Sequence, residues 1–174
     1  MNFRIATIAL TCNLAALVAC TRATEPSDKT DNHRSGETVT LMVDQRTQWR
    51  VLWIEGFTDL PDGSFVAYRV THELATTQPA DQWPALNLIE SGKAIVQNGQ
   101  YWTRLNTTNW PTGEVRILVQ FPVPPQPAFV VERYGPFGEK LVGDNVITTG
   151  GIRTVKTEKI FQFKIGRASC RERV

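Results

Sequence analysis

From Glu37 onward the chain alternates apolar and polar residues with a period of two. In Gly113–Phe121, Val115, Ile117, Val119 and Phe121 occupy one parity and Glu114, Arg116 and Gln120 the other. That alternation predicts a half-buried strand, because successive side chains on extended backbone point to opposite faces. Phe65–Thr71 repeats the pattern, with Val66, Tyr68 and Val70 on one face. Thr38–Val43 alternates loosely, and Trp49–Glu55 is a β-prone run ended by Gly56. Lys93–Gln97, Tyr101–Leu105, Ala128–Arg133 and Ile152–Phe163 complete the predicted strands.

The punctuation fits these strands. Leu60-Pro61-Asp62-Gly63 and Pro111-Thr112-Gly113 carry turn chemistry, Asn98-Gly99 predicts a two-residue hairpin, and Gly150-Gly151 joins two β-like stretches. No segment carries a persuasive 3.6-residue period. His72–Ile89, which contains Pro79 and Pro84, holds a short helix or a long loop. Seven or eight short strands over residues 37–164 predict an all-β, antiparallel sandwich, with a small closed β-barrel as the alternative.

Ahead of this domain the pattern changes. Residues 1–19 begin with Arg4 in a short charged start and continue with an apolar run from Ile5 to Val18, interrupted only by Thr7, Thr11, Cys12 and Asn13. About 14 apolar residues fall short of the roughly 20 that a membrane helix needs, which predicts a cleaved signal peptide. Leu17-Val18-Ala19-Cys20 resembles a lipobox: Leu17 and Ala19 as signal-peptidase recognition residues, and Cys20 as the lipidated first residue of the mature protein. Bacterial lipoproteins receive diacylglycerol on that thiol, so the resemblance implies a lipid anchor on a membrane. Thr21 after the cysteine, in place of Asp, resembles outer-membrane sorting. Residues 20–36 are rich in Ser, Thr, Asp and Asn and nearly free of apolar side chains, and predict a flexible tether in which His33 is solvated.

The ten residues 165–174 (IGRASCRERV) resemble the conceptual translation of a sequencing adapter, and the resemblance implies a non-native tail. This changes the charge picture. The whole chain has 174 residues and a formal charge of +2. Setting aside Arg4 with the leader, and Arg167, Arg171, Arg173 and Glu172 with the tail, leaves 15 basic against 16 acidic residues. Such a balance offers no nucleic-acid footprint. Cys12 lies in the leader and Cys170 in the tail, so the folded body has no cysteine for a disulfide, a thiolate metal site or nucleophilic catalysis.

Gly56-Phe57-Thr58-Asp59-Leu60-Pro61-Asp62-Gly63, Trp110-Pro111-Thr112-Gly113-Glu114-Val115, Gln126-Pro127 and Gly135-Pro136-Phe137-Gly138-Glu139-Lys140-Leu141-Val142-Gly143 resemble immunoglobulin-like domains of bacterial envelope lipoproteins. The resemblance spans most of residues 37–163 and rests on turns. It implies an immunoglobulin-like β-sandwich in the cell envelope, without the cysteine pair of antibody domains, and it transfers no catalytic residues.

Candidate chemistry is sparse. His72 is the body's one histidine, so a Ser-His-Asp hydrolase of glycan or peptide needs it with Asp62 and Ser64 or Ser91, yet no Gly-x-Ser-x-Gly elbow exists. One histidine without cysteine predicts no zinc centre, and no cofactor motif is present. Asp59 and Asp62 are expected to brace their turn, with a shared calcium ion as the alternative. The five tryptophans matter more. Trp49 and Trp53, four apart on one expected strand, share a face and read as core. Trp83, Trp102 and Trp110, in or beside loops, are the candidate partner-binding aromatics. The leading expectation is a non-enzymatic, lipid-anchored module binding a protein or glycan partner, with the hydrolase and a structural role beside an outer-membrane complex as alternatives.

Overall fold

The computed structural model describes residues 36–164. They form ten strands, eight of which have four residues or more: β1 (Glu37–Thr38), β2 (Asp44–Gln48), β3 (Val51–Phe57), β4 (Phe65–His72), β5 (Ile89–Ile95), β6 (Gln100–Asn106), β7 (Gly113–Phe121), β8 (Leu141–Val142), β9 (Val146–Thr149) and β10 (Ile152–Phe163). Two short helices join them, α1 (Leu74–Thr77) and α2 (Ala128–Tyr134), with a single 3₁₀ turn at Ala80–Gln82. No helix among the described residues is long and apolar enough to cross a membrane.

Two antiparallel sheets make the sandwich: a five-stranded sheet of order β5-β4-β7-β10-β9 and a three-stranded sheet of order β2-β3-β6. In the strand letters of immunoglobulin-like folds, β2-β3-β6 stand as A-B-E and β5-β4-β7-β10 as C′-C-F-G. The fold is thus an all-β immunoglobulin-like sandwich and not a closed barrel. The chain passes from one sheet to the other at β3–β4, β5–β6 and β6–β7. β1 and β8 pair in parallel as a separate two-stranded clasp, tightened by an Arg133–Glu37 ion pair at 3.0 Å.

Parity dictates the core. The inward residues of β7 (Val115, Ile117, Val119, Phe121) meet Val66 and Val70 of β4, Ala94 of β5 and Val155 and Phe163 of β10, all buried. From the small sheet come Leu52, Ile54, Tyr101 and Leu105. Each such Val, Leu, Ile or Phe side chain contributes roughly 1.5–3 kcal/mol by leaving water. A carboxylate at Ile117 would therefore unfold the domain rather than adjust it. Tyr101 runs across Gly56, its direct cross-strand partner, and its hydroxyl donates to Met42 O. A Cβ at Gly56 would lie 2.0 Å from that same carbonyl oxygen, so glycine is what lets the tyrosine cross.

The turns largely form as expected. Asn98 (φ 52°) and Gly99 (φ 70°) close a two-residue turn flanked by the Gln97–Gln100 pair. Beyond that pair, however, β5 and β6 diverge into different sheets, so the turn is a crossover and not a hairpin within one sheet. Gly150 (φ 58°) and Gly151 (φ 82°) make a true two-residue hairpin between β9 and β10, where positive φ at both positions matches strand twist.

Three expectations need correction. Ala128–Arg133 is not a strand but the body of α2. Pro127 stands at its N-cap and Gly135 (φ 87°) ends it, and Val130 and Tyr134, four apart, bury one helical face with Tyr134 packing edge-on to Phe121 at 5.3 Å. Trp49 is not on β3. The pairing of Gln48 with Val51 leaves Trp49-Arg50 as the loop of the β2–β3 hairpin, which holds Trp49 at φ 57° and 83% exposed. Thr38–Val43 is mostly irregular, with Leu41 bridging Thr58 between β1 and β2.

Candidate functional site on the outer face of the small sheet

On β3, Leu52, Ile54 and Gly56 point inward, so Val51, Trp53, Glu55 and Phe57 face out. Register fixes their neighbours. Trp53 pairs with Arg104 of β6 and Arg46 of β2, Glu55 with Trp102 and Asp44, and Phe57 with Gln100. Directly opposed residues on an antiparallel pair share a face, so the outer surface of the three-stranded sheet carries Trp53, Trp102 and Phe57 interleaved with Arg46, Arg104, Asp44, Glu55 and Gln100. The expectation that Trp53 fills the core fails on parity: it stands on the same face as Glu55.

The aromatic part is a contiguous group. Trp53 and Trp102 are diagonal neighbours with ring centroids 5.8 Å apart and planes tilted by 41°. The Arg46 guanidinium lies 5.3 Å from the Trp53 centroid, which caps one face of that ring with a cation and fixes its orientation. Trp102 is 60% exposed and Phe57 61%, while Trp53 is half-buried. Trp102, opposite Glu55, stands between the levels of Trp53 and Phe57 along the sheet. A depression of about 300 Å³ runs over these residues, bounded by Asp44, Glu55 and Gln100. The Lys159 ammonium reaches Asp44 from β10 and, with the Gln45 N–H, holds that carboxyl below the ordinary carboxylate range. Strands of a packed sandwich hold all these groups, so the surface is preorganised.

The other predicted positions divide. Trp102 stands on this face, on the edge strand β6. Trp110, expected beside a loop and available to a partner, is instead 1% exposed: it packs edge-on against Phe163 at 5.7 Å and His72 at 5.8 Å, and its indole N–H donates to Asn87 Oδ1 at 3.0 Å. The loop before β7 folds over the end of the sandwich, which turns a loop tryptophan into core. Trp83 leans on the core and donates its N–H to Gln78 O at 2.9 Å, away from the aromatic face. Leu17, Ala19 and Cys20 lie outside the described residues, as do the tether and the tail.

His72 is fully buried. Its Nδ1 accepts from the Leu74 N–H at 3.1 Å, which puts the proton on Nε2, where it donates to Pro111 O at 3.1 Å. Both ring nitrogens thus serve the backbone. Ser64, at the opposite end of β4, donates its hydroxyl to Pro61 O at 2.6 Å. Eight residues of strand separate it from His72 by about 26 Å, so the two are not brought together. Ser91 pairs with Arg69, three residues along β4 from His72, and is exposed. Asp59 accepts from the Thr40 N–H at 2.8 Å and so braces its turn against the irregular segment between β1 and β2. No metal-ligand cluster of three or more residues occurs among the described residues.

The outer face of the five-stranded sheet is the useful contrast. Its shallow depression lies over Ala67 and Gly92, flanked by Arg69 and Lys93, and has no exposed aromatic pair. No family model, curated protein or solved structure matches the chain.

Proposed function

We propose that this protein is a non-enzymatic binding module of the cell envelope, attached by a lipid on Cys20 and facing the periplasm from the outer membrane, which engages its partner through the outer face of the three-stranded sheet. The observation carrying this reading is the exposure of Trp102 beside Trp53, with exposed Phe57 further along the same face of a rigid sheet. Large aromatics in water cost free energy that a partner recovers on covering them, and tryptophan leads among residues that dominate interfaces. The charged groups interleaved with the rings supply hydrogen bonds that orient the partner. The hydrolase alternative finds no support in His72, whose nitrogens are both committed to backbone groups.

The test is affinity capture from envelope extracts with the wild-type chain, a Trp102→Ala/Phe57→Ala double variant and an Arg69→Ala/Lys93→Ala control on the opposite sheet. The control should capture the same ligand as wild type and the aromatic variant should lose it. Equal capture by all three would remove the small sheet from the binding surface.

A further inference from the structure

Resting on the binding role proposed for this face, we infer that its ligand is a neutral, linear glycan chain whose pyranose rings lie along Trp53, Trp102 and Phe57. A protein interface concentrates apolar residues in a dry centre and leaves charge at the rim. Here the polar groups stand in register among the rings: Arg104 and Arg46 flank Trp53, Glu55 faces Trp102, and Gln100 faces Phe57. Covering this surface with another protein would strip water from Glu55 on the central strand and from the Arg46 and Arg104 guanidiniums on either side of Trp53, a desolvation that is unfavourable for every ion left unpaired.

A pyranose ring has the complementary pattern. Its axial C–H groups form an apolar face that stacks on an indole or phenyl ring, and its equatorial hydroxyls project from the edge in vicinal pairs. Guanidinium, carboxylate and carboxamide groups are planar and offer paired donors or acceptors, which suits such diols. Trp53 and Phe57 are four residues apart on β3, so the rings span about 13 Å of strand, enough for a short oligosaccharide. The 41° tilt between the indoles suits a chain that twists from one sugar to the next.

Charge selects among glycans. The face carries Asp44 and Glu55 against Arg46 and Arg104, with Lys159 already bound to Asp44 at the rim. With its two signs interspersed, it has no single-sign field to gather a polyanion.

Isothermal titration calorimetry on the purified full chain, held in a zwitterionic detergent without a sugar headgroup, tests the inference with the tetramers of N-acetylglucosamine and glucose as neutral probes and polygalacturonate as the charged one. Saturable binding of a neutral tetramer is expected, about tenfold weaker in Trp102→Ala and unchanged in Lys93→Ala. Because Trp102 is mostly exposed, the variant should melt like wild type, and a circular-dichroism melt checks this. No heat from either tetramer, or tighter binding of polygalacturonate, overturns the assignment to a neutral glycan. If the tetramers fail while a photo-crosslinker at position 102 traps a protein, the binding face stands and its ligand is a protein. If neither yields a ligand, both readings fall.

Discussion

Replacing Trp110 with alanine should cost the domain about 4 kcal/mol. The side chain is 1% exposed and fills the space between Phe163 and His72, and truncation of a buried tryptophan costs roughly 3–5 kcal/mol through lost transfer energy and a residual cavity. Losing the indole N–H strands Asn87 Oδ1, which adds about 1 kcal/mol unless water reaches it. Against a total stability of roughly 5–15 kcal/mol, this is a large share. Trp102→Ala removes a side chain that is mostly in solvent and should stay within about 1 kcal/mol of wild type. Urea unfolding at 25 °C followed by circular dichroism reads the difference: with m of about 2 kcal/mol/M, Trp110→Ala should shift the midpoint by about 2 M at unchanged m. Trp110→Phe keeps part of the ring packing and should fall between. A shift below 0.5 M for Trp110→Ala, or an equal loss in Trp102→Ala, would falsify the division of the tryptophans into core and surface.

Other outcomes follow from single contacts. Gly56→Ala forces Tyr101 and the Met42 carbonyl apart and should destabilise by about 1–3 kcal/mol in the same assay. Tyr101→Phe should cost about 1–2 kcal/mol at neutral pH, since Met42 O loses its donor. Burial pushes the Tyr101 ionisation upward, so the fold favours the neutral phenol. Its contribution is complete below the unfolded tyrosine value of about 10 and is lost as pH rises above it. Stability curves from pH 8 to pH 11 should therefore fall less steeply for Tyr101→Phe than for wild type. Cys20→Ser should abolish incorporation of labelled palmitate, and persistent labelling would remove the lipid anchor from the account.

The parts of the fold legible in the sequence were those set by local chemistry. Val115 to Phe121 could only be a strand with one buried face, and Asn98-Gly99 and Gly150-Gly151 announced their positive-φ turns. The helix α2 hid because Phe129, Val130 and Val131 are strong strand formers. Pro127 before the segment and Gly135 after it were the available start and stop signals, and the four-residue spacing of Val130 and Tyr134 was the helical period. The hairpin at Trp49-Arg50 had no such signal, since neither residue favours the left-handed backbone that Trp49 adopts.

The binding face was half legible. Trp102 stood out as an aromatic near a turn, and Trp53 could have been placed on the outer face by parity alone, because Leu52, Ile54 and Gly56 form the buried set and Trp53 shares its side with Glu55. Arg46 and Arg104 gave no sign by themselves. Only the register of β2, β3 and β6 brings them to the rings, and register depends on the whole small sheet. Trp110 misled because a loop position in sequence says nothing about whether that loop folds over an open end of the sandwich.

The most direct test of the central claim is in-cell photo-crosslinking from two single positions, 102 on the small sheet and 118 on the outer face of the large one. A discrete, reproducible adduct is expected from position 102 and none from position 118. An adduct from position 118 with none from position 102 would contradict it and move the binding surface to the opposite face of the sandwich.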